Sequence, residues 1–164
     1  MALYSVHKLM AEARRLAAEY RRTTGKPLAI SNEIALHDAA RLLDLELPES
    51  PHTGYDAIGR GSREGLRIQV KARAIFDESR SGQRIGQLKL DREWDLVLLV
   101  LMDEEYEPYE IYQAERAAIL ESLGTGGESA RNRRGAMSVA RFKCISRLVW
   151  TREEGEIADD LWEN

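Results

Sequence analysis

The sequence predicts an α/β (α+β) domain in which a mixed β-sheet is flanked by helices. Residues 66–73 alternate strictly: Leu66, Ile68, Val70 and Ala72 share one face, while Arg67, Gln69, Lys71 and Arg73 share the other, the period of a β-strand. The run Leu96–Met102 is continuously apolar, as a strand covered on both faces requires. Segments of helical spacing precede and follow these strands. At 164 residues, 43% hydrophobic and 32% charged, the chain has material for one domain with a substantial core and too little for two. Residues 1–164 are therefore expected to fold as one domain.

Taken in order, Leu3, Val6, Leu9, Met10, Ala13, Leu16, Ala17 and Tyr20 recur at helical spacing, so a helix is expected over about residues 4–24, stopped by Gly25-Lys26-Pro27. Ser31 or Asn32 is expected to cap a second helix carrying Ile34, Ala35, Ala39, Leu42 and Leu43. After a loop marked by Pro48 and Pro51, residues 55–58 and 66–76 read as a hairpin joined by the Gly-rich turn 59–65. Residues 77–87 are polar and read as a mobile loop. The apolar strand follows, then a short strand at 110–112, then a helix over 114–123. Ser138 is expected to cap a helix with Val139, Phe142, Ile145, Leu148 and Val149 on one face, and Ile157, Leu161 and Trp162 suggest a short terminal helix.

Composition narrows the function classes. No apolar run is long enough for a membrane span, and the N-terminus lacks the apolar region of a signal peptide. The single cysteine, Cys144, excludes an internal disulfide framework and fits a cytoplasmic location; beside Phe142 and Ile145 it is expected to pack. A net charge of −4 argues against a generic nucleic-acid binder, yet Arg131, Arg133 and Arg134 form a locally basic stretch, readable as a solvated loop or a phosphate-binding patch. His7, His37 and His52 sit in three different elements with no metal-site spacing. The Gly-rich segments lack the context of a phosphate-binding loop.

The chemistry centres on the hairpin. A carboxylate such as Asp56 inside a short apolar strand costs free energy unless it is paired or holds a metal. Its bland alternative is an aspartate bonding to the Gly-rich turn. Gln69 and Lys71 alone would be the wet face of a strand. Glu33, in the first turn of the second helix, either reaches the same site or serves the helix dipole.

Taken together, Asp56, the Gly-rich turn and Gln69-Val70-Lys71 resemble the core motif of the PD-(D/E)XK nuclease superfamily, in the variant where Gln replaces the second acidic residue, as in Mrr-like restriction endonucleases. The resemblance covers about residues 31–113. It leaves the helix of about 4–24 and helical additions of about 114–163 outside the core. It implies a restriction-endonuclease-like core of a helix, a three-stranded meander, a helix and a further strand. Here Leu96–Met102 is expected in an earlier slot than that fourth strand. It further implies Mg²⁺ or Mn²⁺ held by Asp56, the Gln69 side-chain oxygen, the Val70 carbonyl and Glu33, with Glu46 as a fallback. Lys71 would orient or deprotonate the attacking water.

The implied activity is metal-dependent hydrolysis of DNA phosphodiester bonds, in restriction or phage defence, with catalytic residues Asp56, Gln69, Lys71 and Glu33. DNA would be the partner, contacted by Arg73, Arg131, Arg133 and Arg134. A homodimer is a candidate assembly, and no small-molecule cofactor or membrane is expected. Two positions depart from the majority motif: Gln69 brings no charge, and Tyr55 stands where the motif's Pro would be. The alternatives are a non-catalytic subunit of the same fold and an α+β interaction module.

Overall fold

The computed structural model describes residues 3–50, 54–76, 83–125 and 136–158. Helix α1 spans Leu3–Thr24, and Gly25, at φ 75°, ends it by donating its N–H to the Arg21 carbonyl at 2.9 Å. Helix α2 spans Ser31–Leu42. Ile30 occupies its N-cap and makes no side-chain cap bond, so neither Ser31 nor Asn32 caps it as expected. Asn32 instead accepts a hydrogen bond at 3.2 Å from the Ala72 N–H, which lies 40 residues away in sequence.

Seven strands follow: β1 Leu45–Glu46, β2 Ala57–Gly59, β3 Arg67–Ala74, β4 Leu96–Met102, β5 Pro108–Glu115, β6 Arg147–Thr151 and β7 Gly155–Glu156. They form one mixed sheet in sequential order. Every pairing is antiparallel except β3 with β4, which runs parallel from Ile68↔Leu96 to Ala74↔Met102. This corrects the expectation that Leu96–Met102 takes an earlier slot. β1, β2 and β3 form an antiparallel meander, and β4 is the strand after it. Parallel pairing demands a crossover, supplied by residues 75–95. Among the described residues this crossover contains no helix. It is pinned by Trp94, whose indole N–H donates to the Lys89 carbonyl at 2.8 Å. Arg116 lies over the Trp94 ring and donates to the Arg92 and Leu90 carbonyls.

The C-terminal region differs from the helical additions expected. Helix α3 spans Arg116–Thr125, and α4 spans Val139–Ile145, capped by Ser138, whose hydroxyl accepts from the Arg141 N–H. Helical spacing continues through Leu148 and Val149, but Ser146 adopts an extended conformation at φ −120°, ψ 173° and the chain enters β6. Ile157 donates its N–H to Val149, so it adds to the sheet edge rather than starting a helix; Leu161 and Trp162 lie outside the described residues.

The alternation along β3 and β4 sorts side chains into two cores. Ile68, Val70 and Ala72 join Leu96, Leu98 and Val100 under α1 and α2. Val97, Leu99 and Leu101 meet Trp94, Ile119 and Phe142 under α3, α4 and the crossover. All seven residues of β4 are buried, each side chain contributing roughly 1.5–3 kcal/mol of transfer free energy. Cys144 is exposed on α4, against the expectation that it packs. α1 is tied down by a polar clamp: Arg14, itself mostly buried, donates to both oxygens of the buried Asp38 at 2.5 and 2.6 Å and to the Tyr106 carbonyl at 2.9 Å. No described helix is long and apolar enough to cross a membrane.

Candidate functional site

The site arises where the hairpin stops pairing. β2 accompanies β3 only as far as Ala57↔Ile68, so the Val70 and Ala72 N–H groups, which face that edge, have no strand partner. Two side chains take its place. Asp56 Oδ2 accepts from the Val70 N–H at 2.8 Å, and Asn32 Oδ1 accepts from Ala72. Asp56 also donates its own N–H to the Ile68 carbonyl at 2.8 Å. The carboxylate is thus fixed on β3, not on the Gly-rich turn that was its bland alternative. The N–H and C=O of a strand residue point the same way, so the Val70 carbonyl faces the same edge.

Around this edge Asn32, Glu33, Leu36, Asp56, Val70 and Lys71 line a pocket of ≈ 150 Å³. Glu33 and Asn32 come from the first turn of α2, and Lys71 comes from the opposite face of β3. They meet because the sheet is open here. Asp56 and Lys71 border one pocket. Burial pushes the pKa of Lys71 below the ordinary lysine range; the Asp56 charge opposes that shift and the neighbouring Lys89 ammonium reinforces it.

Gln69 is adjacent but does not line the pocket. It is 2% exposed, and its Nε2 donates to the Gly54 carbonyl at 3.0 Å. A carbonyl can only accept, so this bond dictates which way the amide is turned. Oε1 is thereby directed away from Gly54, where it is buried with no donor among the described residues. An orphaned buried acceptor costs about 1–3 kcal/mol unless something unseen satisfies it. Gly54 permits the arrangement: a Cβ there would lie 3.0 Å from the Glu93 carbonyl oxygen.

Among the described residues no group of three or more His, Cys, Asp and Glu side chains is placed to hold a metal. Within the pocket the oxygens that could hold a cation are the carboxylates of Asp56 and Glu33 and the Val70 carbonyl. That all-oxygen set would suit Mg²⁺ or Mn²⁺ and not zinc.

The remaining candidates lie elsewhere. Arg73 is half-buried further along β3, with Nε buried and without a partner among the described residues and its pKa lowered by burial; it does not line the pocket. Arg131, Arg133 and Arg134 lie outside the described residues. Glu46, on β1, lies 4.0 Å from Arg60 and takes no part. His7 and His37, separate in sequence, meet at 3.4 Å between Nδ1 and Nε2, and burial with some opposition from Asp38 lowers the pKa of His37. A larger cleft of ≈ 590 Å³ opens at the other end of β3, lined by Arg147 and by Arg63, which pairs with Gln113 and Glu156.

Sequence reasoning missed Asn32 and Gly54 as site residues. Asn32 read as a cap, and only its hydrogen bond to Ala72 assigns it to the pocket wall. Gly54 carried one available signal, a glycine two residues before the key aspartate. No protein-family model matches this chain, and no curated protein matches it.

Proposed function

We propose that this protein is a metal-dependent phosphodiesterase acting on DNA, an endonuclease of restriction or phage defence built on a restriction-endonuclease-like core. The observation that carries the reading is the meeting of Glu33, Asp56, Val70 and Lys71 at the open edge of β3. The order of helix α2, meander β1–β3 and parallel strand β4 supports it, though the described residues of the crossover contain no helix such as the resemblance implies.

Asp56 holds the edge in place while one of its oxygens serves Val70. Glu33 supplies the second negative charge, replacing what Gln69 does not bring. The Asp56 and Glu33 carboxylates and the Val70 carbonyl would hold a divalent ion, which would supply Lewis-acid charge and lower the pKa of a bound water. Lys71 Nζ, whose pKa burial lowers, in its neutral form takes a proton from the attacking water as the new O–P bond forms. The bond to the leaving oxygen breaks, and that oxygen takes its proton from solvent. In its charged form Lys71 instead offsets charge on the phosphorane-like transition state. The pocket is too small for a nucleotide, so the sugar and base lie outside it. Arg73, Arg131, Arg133 and Arg134 are the proposed phosphate contacts along the strand.

The test is cleavage of plasmid and single-stranded DNA with Mg²⁺ or Mn²⁺. The parent should cut; Asp56→Asn and Lys71→Met should each lose on the order of 10²-fold or more in rate. Replacing Arg131, Arg133 and Arg134 with Ala should flatten the salt dependence of binding by up to about 0.9 log units per lost contact. A parent that neither cuts DNA nor changes its melting temperature with Mg²⁺ or Mn²⁺ would defeat the reading. A second reading, a non-catalytic subunit of the same fold, is favoured by one observation: the Gln69 amide is already engaged by Gly54. DNA binding without cleavage or metal response would select it.

A further inference from the structure

Helix α1 carries two apolar arcs where a helix lying on a domain needs one. Met10, Ala17 and Ala18, with Arg14 and Arg21, face the body, and Ala17 and Ala18 are buried. Val6, Leu9, Ala13, Leu16 and Tyr20 form a second stripe turned roughly 100° away at 3.6 residues per turn. Four of them are open to solvent: Val6 at 41%, Leu9 at 55%, Leu16 at 57% and Tyr20 at 39% exposure. Only Leu47 and Leu120 join them as exposed large hydrophobics among the described residues.

We propose that this stripe is a self-association surface, on which α1 of a second copy of the chain packs to form a two-fold dimer. The residues succeed one another at intervals of three, four, three and four, the a/d spacing of a two-helix seam. Such a seam is read by a helix of the same period, and an isologous pair presents the same stripe twice. The other described helices are too short to offer one: α2 has 12 residues, α3 has 10 and α4 has 7.

Charge argues against an anionic lipid surface or DNA as the occupant. Glu12 and Glu19 lie immediately beside the stripe, between it and Lys8, Arg15 and Arg22, so an anionic surface laid on the seam meets carboxylates first. The exposed stripe amounts to roughly 350 Å² per copy, the scale at which an apolar patch marks an interaction site. Doubled by symmetry and widened by the stems of Lys8, Glu12, Arg15 and Glu19, it approaches the roughly 1,000 Å² of a specific interface. An interface of that size lies at the weak, reversible end of specific contacts.

Sedimentation equilibrium of the full chain from about 1 to 300 μM tests this range. The parent should fit a monomer–dimer equilibrium. Leu9→Glu/Leu16→Glu should weaken dimerisation at least ten-fold while keeping the parent's circular dichroism spectrum. Leu9→Gln/Leu16→Gln serves if the charged pair does not fold. Leu120→Glu, an exposed apolar site off the stripe, should dimerise as the parent does. A parent that stays monomeric throughout overturns the proposal. So does a seam variant that dimerises like the parent, or a monomer that binds anionic vesicles through the stripe.

Discussion

Gln69→Glu puts the site argument under the greatest strain. In the parent, Nε2 donates to the Gly54 carbonyl and Oε1 lies buried without a donor among the described residues. The substitution removes that donor, sets two acceptors against each other, and places a carboxylate where only 2% of the residue is exposed. Loss of a buried hydrogen bond with a group left unpaired costs about 1–3 kcal/mol, and the desolvated charge adds to it, so a metal-free deficit of about 2–4 kcal/mol is expected. For a chain of this length each kcal/mol moves Tm by about 2–4 °C, which gives a drop of roughly 5–15 °C in EDTA. The burial raises the pKa of the new carboxyl, so the deficit narrows as pH falls and the neutral acid is restored. Mg²⁺ or Mn²⁺ at about 100-fold over Kd should then return about 2.7 kcal/mol, a larger gain than in the parent. Differential scanning calorimetry with EDTA, Mg²⁺ and Mn²⁺ reads all of this. A variant that is destabilised but melts alike with and without metal would make Gln69 a purely structural amide. A variant as stable as the parent in EDTA would refute the burial argument itself.

Three further outcomes follow from other parts of the structure. Arg14→Met leaves Asp38, 1% exposed, with only Arg41 at 3.9 Å, and should cost about 3–5 kcal/mol in urea denaturation; adding Asp38→Leu should recover a good part of it. Lys71→Met removes a half-buried ammonium whose pKa burial has lowered. The folded state therefore disfavours the charged form, and the parent should lose stability relative to the variant at pH 7 and regain it as pH rises toward the unfolded lysine value of about 10.4, measured by urea midpoints at several pH values. Asn32→Ala leaves the Ala72 N–H without its acceptor and loosens α2 from β3, so it should cost about 1 kcal/mol and speed hydrogen exchange at Ala72, read by NMR.

How far the candidate site was legible depends on the range of the interaction involved. Asp56, Gln69 and Lys71 could be singled out because they sit within 16 positions on two strands joined by one turn, and a hairpin converts short sequence separation into contact. Glu33 could be suspected from its place in the first turn of α2. Asn32 could not, because its partner Ala72 becomes a partner only when α2 docks on the sheet. Nor could the meeting of His7 with His37, which requires α1 to cross α2. The segment 139–149 misled for the opposite reason. Its local spacing is helical throughout, yet residues 147–151 gain more by pairing with β5, an element some 35 residues earlier, than by extending α4.

Period and composition by themselves determined the two-faced strand β3, the doubly covered strand β4 and the amphipathic character of α1. These are properties of a side chain relative to its near neighbours, and covalent geometry alone transmits them. Which of α1's two apolar arcs would be buried, that β4 runs parallel to β3, and that β2 ends early enough to open the edge at Val70 were decided only by tertiary structure. Each is a choice between arrangements equally compatible with the local pattern. What separates them is the free energy of burial and of backbone pairing between segments distant in sequence, and no local pattern encodes that.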